Sequence, residues 1–189
     1  MLSRVTACDP TAPTLTQFAR PSELSGARRR ELAACWAAVV NAGGAVVPAD
    51  CPPPPLTAAD LTAAVDRVAE RLAPERGRLL AAVLDSSLAG WLLLRREGHP
   101  LEAHCGVVNH VQTQVHLRRQ GIGAALMHEV RRVAGEEMGL ERLKLSVRAG
   151  LGLEDFYRRA GWAEVGRWPG ALRLAPGDDR DEVLMSLAL

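Results

Sequence analysis

At 189 residues the chain has room for one domain with a sizeable core and would cramp two. Apolar residues at 48% and charged residues at 24% are ordinary globular proportions, and a formal net charge of +1 excludes wholesale attraction to nucleic acid or an acidic membrane. The cysteines, at 8, 35, 51 and 105, lack C-x-x-C spacing, which excludes a disulfide framework or a thiolate metal site as the organising device.

Residues 1–13 show no sustained period and read as a loose tail, with one folded domain expected over 14–189. Arg4, Asp9 and Pro10 interrupt the apolar run that a signal peptide needs, and no stretch reaches the length of a membrane span. A reducing cytoplasm is the expected setting. Leu15 to Ala19 alternates as a short strand, and Ser22 reads as the cap of a helix whose apolar face is Leu24, Leu32, Trp36, Val39 and Val40. That helix should end near Asn41-Ala42-Gly43-Gly44. The prolines from Pro52 to Pro55 form a stiff spacer loop. Thr57 and Asp60 have capping-box spacing and open a second helix, with Leu61, Ala64, Val65, Val68 and Leu72 on one face. Pro74 and Gly77 stop it.

Arg78 to Leu84 and Leu88 to Arg95 read as a hairpin turning around Asp85-Ser86-Ser87. After a turn at Gly98-His99-Pro100, Ala103 to Val115 is the central strand. A helix from the following glycine turn to about Gly139 comes next, then a strand Arg142 to Val147 and a short helix Leu153 to Ala160. Trp162 to Trp168 and Val183 to Leu187 complete a mixed α/β (α+β) layout, a mostly antiparallel sheet flanked by helices. Asp178 to Glu182 reads as a charged turn before the last strand, open to a cationic ligand, while Arg158 and Arg159 read as a solvated helix face.

The chain is organised around Arg118-Arg119-Gln120-Gly121-Ile122-Gly123-Ala124, where the central strand feeds a turn that opens into a helix. The first turn of a helix leaves backbone N–H groups unpaired, and the dipole puts positive charge there. Small residues at 121 and 123 let a diphosphate approach those donors, and Arg118 and Arg119 add fixed charge. The dinucleotide fingerprint would need a small residue where Leu126 stands, and the P-loop Gly-Lys-Ser/Thr run is absent.

Arg118-x-x-Gly121-x-Gly123 after a strand, followed by Phe156-Tyr157-Arg158-Arg159-Ala160-Gly161-Trp162 near the C-terminal end, resembles the GNAT superfamily of acyl-CoA-dependent N-acetyltransferases. Val165-Gly166 with Pro169-Gly170, behind two N-terminal helices, is similar to the tabtoxin-resistance type within it. The resemblance implies a single GNAT-like domain with an acyl-CoA-binding strand–turn–helix. It implies acetyl-CoA as co-substrate, no metal, and a primary amine of a small molecule as acceptor. Pantetheine would pair with main chain at Thr113 and Val115, and the diphosphate would meet Gln120, Gly121, Ile122, Gly123 and Ala124. Tyr157 would protonate the leaving thiolate, Trp168-Pro169-Gly170 would help shape the acceptor pocket, and a homodimer is expected by analogy.

The base stays open. Residues 103–117 hold no carboxylate, which leaves His110 as the candidate, with His104, an Asn109-oriented water or an already neutral amine beside it. Gly150 replaces an asparagine common in relatives, and Val115 replaces a proline. Two other functions fit the same motifs: a non-catalytic acyl-CoA-binding regulator, and an acetyltransferase of protein lysines or N-termini.

Overall fold

The computed structural model describes residues 12–45 and 48–189, so the expected tail lies almost wholly outside the described residues. Seven strands form one sheet: β1 (Thr14–Phe18), β2 (Gly77–Leu84), β3 (Ser87–Arg96), β4 (Cys105–Thr113), β5 (Arg142–Arg148), β6 (Ala163–Ala175) and β7 (Asp178–Ala188), in the order β1-β2-β3-β4-β5-β7-β6. Among the described residues four α-helices cover it: α1 (Gly26–Asn41), α2 (Thr62–Glu70), α3 (Ile122–Arg132) and α4 (Leu153–Arg159).

The period of two in β2 and β3 decides which helix goes where. Leu79, Ala81, Trp91 and Leu93 face α1 and α2; Leu80, Ala82, Leu92 and Leu94 face α3 and the β5–β7 side. Both faces are buried, which is why these strands read as unbroken apolar runs. Asp85 and Ser86, both at positive φ, make the two-residue turn that a twisted hairpin favours. Gly90 lets α3 approach β3: a Cβ there would lie 2.7 Å from the Gln112 carbonyl oxygen and 2.9 Å from Ile122 Cγ2. Gly90→Ala should therefore cost about 1–3 kcal/mol by overpacking, read as a lowered denaturation midpoint in urea.

Four expectations need correction. Ser25, not Ser22, caps α1, accepting from the Arg28 N–H at 3.2 Å, because Pro21–Glu23 forms a 3-10 turn held by Glu23. Thr57 does bond Asp60, but a 3-10 turn at Ala59–Leu61 precedes α2. The central strand stops at Thr113; Val115 starts a 3-10 turn, Val115–Leu117. Asp178 to Glu182 is strand rather than turn. There Asp179 pairs with Arg173, Asp181 with Arg167 and Asp178 with Arg180, so these carboxylates are committed and β6 runs on to Ala175.

Among the described residues β4 and β5 are the only parallel neighbours, and their pairing lasts three residues, Cys105–Val107 against Arg142–Lys144. Beyond that the strands part, and the sheet opens into a cleft at its centre.

Candidate active site

The cleft exposes backbone. The Gln114 N–H donates to the Ala89 carbonyl at 2.9 Å, so alternation turns the peptide groups of Thr113 and Val111 away from β3, toward the side β5 has left. Thr113 is where the sequence placed a main-chain contact. Val111 was missed, and Val115 lies past the strand end.

Between Asn109 and Gln112, β4 carries a bulge against β3, and His110 takes φ +53 within it. The extra residue puts His110 on the α1–α2 side, stacked on Trp91 at 5.3 Å between centroids and edge-on to Trp36 at 4.6 Å. Burial, and then the charges of Arg71 and Arg95, push its pKa down to about 4. It is therefore a neutral, weak base at neutral pH. Asn109 accepts a bond from Arg95 Nε at 3.3 Å, and His104 lies in the turn before β4, its carbonyl taken by the Glu141 N–H. Gln112 is buried on the same face, and both of its amide atoms lack a partner among the described residues. Nothing in the sequence marked it.

The depressed pKa has a consequence for stability. Between pH 6.5 and about 4 the unfolded chain takes up a proton that the folded chain refuses, so stability falls as pH drops through that window. At pH 4.5 the loss should be about 2.5 kcal/mol, and it vanishes above pH 6.5. Urea denaturation of wild type and His110→Asn at about pH 7 and pH 4.5 checks this, since the variant should lose that share of the pH dependence. Asparagine tolerates the left-handed backbone.

At the start of α3, Arg119 at φ +65 and Gly121 at φ +82 curl the chain so that successive N–H groups can converge. A Cβ on Gly121 would meet nothing within 4 Å, so the turn is open at this residue. Gly123 has a different job: its Cβ would lie 3.2 Å from Phe156 Cζ and 4.0 Å from Thr113 Oγ1. The two sequence motifs and β4 therefore meet at one point. Arg118, Arg119 and Gln120 are all exposed, and the Arg118 guanidinium lies toward Gly44, its Nη2 2.9 Å from where a Gly44 Cβ would stand.

Tyr157 sits on α4 with its ring between Phe156 and Trp162, at 5.0 and 6.0 Å. Burial raises its pKa above the ordinary phenol range, and its hydroxyl has no partner among the described residues. It stays neutral and free to donate a hydrogen bond. At Gly150 the Arg180 guanidinium occupies the space a Cβ would need, with Nη1 2.5 Å away. Trp168 stands 64% exposed on the β6–β7 hairpin.

A mixed sheet split at its centre, with an open glycine turn and helix start beside the split, is the architecture of acyl-CoA-dependent acyltransferases. The chain belongs to the GNAT family of acetyltransferases, whose family model matches residues 48–162. No curated protein matches it in sequence. Similar solved structures include a GCN5-related N-acetyltransferase from Kribbella flavida, 19% identical with a TM-score of 0.76, covering 96% of this chain and 100% of that one. Another is a GNAT-family acetyltransferase from Streptococcus pneumoniae, 19% identical with a TM-score of 0.68, covering 93% of this chain and 100% of that one. A third is a ribosomal-protein-alanine N-acetyltransferase from Brucella melitensis, 16% identical with a TM-score of 0.67, covering 93% and 99%. At these identities the likeness shows the fold. Among the described residues no helix is long and apolar enough to cross a membrane.

Proposed function

We propose that the protein transfers the acetyl group of acetyl-CoA to a primary amine of a small molecule by direct attack. The observation that carries this is the β4–β5 cleft, which leaves the peptide groups of Val111 and Thr113 free beside the open turn at Gly121. Pantetheine amides would add to that edge as a strand would. The N–H groups of Gln120 to Ala124 would take the diphosphate. A groove of about 460 Å³ along α3 and α4, lined by His128, Arg131 and Arg159 among others, supports the charged nucleotide end.

Acetyl-CoA supplies an activated acyl carbon. The amine nitrogen bonds to that carbon, the carbon–sulfur bond breaks, and its electron pair leaves on sulfur. Tyr157 donates a hydrogen bond to the developing thiolate. Its raised pKa makes complete proton transfer costly, so stabilisation of charge is its main contribution. The amine's surplus proton leaves to His110 or through water. Cytoplasmic location is part of this reading.

Thiol release from acetyl-CoA against a panel of amines, with calorimetric titration of CoA, tests it. Binding together with release by one class of amine is expected. CoA binding without release would favour a non-catalytic regulator, and absence of CoA binding would sink the proposal.

A further inference from the structure

On the α1–α2 face a cavity of about 190 Å³ opens against the β4 bulge, lined by Trp36, Ala64, Arg67, Val68, Arg71 and His110 among others. It is smaller than the ~300–1,000 Å³ usual for sites of drug-sized ligands, so it suits a small molecule. Its polar wall is cationic. Among the described residues no carboxylate lines it; Asp50 reaches Arg67 from outside at 2.8 Å, and Asp66 is taken by Arg29 at 2.7 Å. Arg71 has neither an ion pair nor a side-chain hydrogen bond among the described residues, and Arg95 has only the neutral Asn109. Arg67 and Arg71 thus line the cavity beside His110, and Arg95 adds its charge at the imidazole from outside the lining, with a single carboxylate among the three. A cavity so walled repels a cationic ligand and attracts an anion.

We propose that this cavity is the acceptor site and that the acceptor is a small amine bearing a carboxylate, which Arg71 binds with Arg67 beside it. The inference rests on the acetyltransferase reading above. A guanidinium fork matches a carboxylate in geometry and charge. His110 links the cavity to β4, so an acceptor anchored at α2 would have its amine directed toward the cleft. The bound carboxylate would also offset the arginine charge that helps hold His110 unprotonated, making it a better base while substrate is present.

The test compares free amino acids with their primary amides, and with simple alkylamines, in the thiol-release assay at saturating acetyl-CoA. At least one acid should exceed its amide at least tenfold in kcat/KM. Arg71→Gln should raise KM for that acid about tenfold or more while kcat stays within about threefold, and Arg71→Lys should recover part of the loss. Arg71 is exposed at the end of α2, and an unchanged CoA titration would show each variant folded. Amides or alkylamines turned over as well as acids, or an Arg71→Glu variant with unchanged KM for the acid, would overturn the inference and leave the transferase intact. CoA binding with no release by any amine would overturn both.

Discussion

Gly121→Val should weaken CoA binding about thirtyfold or more while leaving the fold intact. Gly121 holds φ +82 as the residue before α3, a conformation costing an L-residue about 1–2 kcal/mol and a β-branched one more. The side chain would meet no protein atom within 4 Å, so the core is not disturbed. It would instead narrow the open turn from which α3 starts. Each hydrogen bond to a charged group lost there is worth about 1.5–3 kcal/mol. Gly123→Ala is the instructive contrast. Its Cβ would press on the Phe156 ring at 3.2 Å, so it should lower stability by about 1 kcal/mol with a smaller effect on CoA. Calorimetric titration and urea denaturation of both variants separate the roles. A Gly121→Val protein that binds CoA like wild type would remove the cradle from this turn.

The second large effect is expected from Tyr157→Phe. The substitution keeps the ring between Phe156 and Trp162 and deletes only a hydroxyl that bonds nothing among the described residues. Stability should stay within about 0.5 kcal/mol. Turnover should fall about a hundredfold, the scale of losing one donor to developing negative charge. CoA affinity should change by less than about threefold, since main-chain groups carry it. Because burial raises the phenol pKa, ionisation of Tyr157 should impose no alkaline loss of activity below about pH 10. Unchanged kcat in the variant, or an alkaline limb near pH 8 that the variant abolishes, would show that the hydroxyl acts otherwise.

Much of this was legible because local physics suffices for it. The apolar runs of β2 and β3 announce two strands of a hairpin, and Asp85-Ser86-Ser87 announces the turn between them. Arg118 to Ala124 and Phe156 to Trp162 are short motifs whose residues lie close in sequence. Errors fell where two local signals competed. Ser22 and Ser25 could both cap a helix, and only the 3-10 turn at Pro21–Glu23 selects the second. The strand expected over Trp162 to Trp168 runs on to Ala175, because a bulge absorbs Pro169-Gly170 and cross-strand arginine–aspartate pairs carry β6 onward.

By itself the sequence determined the hairpin strands, the helix faces, the glycine turn and the family, since each depends on neighbours a few residues apart. Tertiary structure alone decided that β4 and β5 part after three pairs, that the bulge turns His110 toward Trp36 and Trp91, and that Phe156 packs on Gly123. It also brought Arg67 and Arg71 into one cavity wall with His110, and the charge of Arg95 close to the same imidazole. These are juxtapositions of segments tens of residues apart. They follow from how helices and sheet share the burial of apolar surface, which no local pattern of residues records.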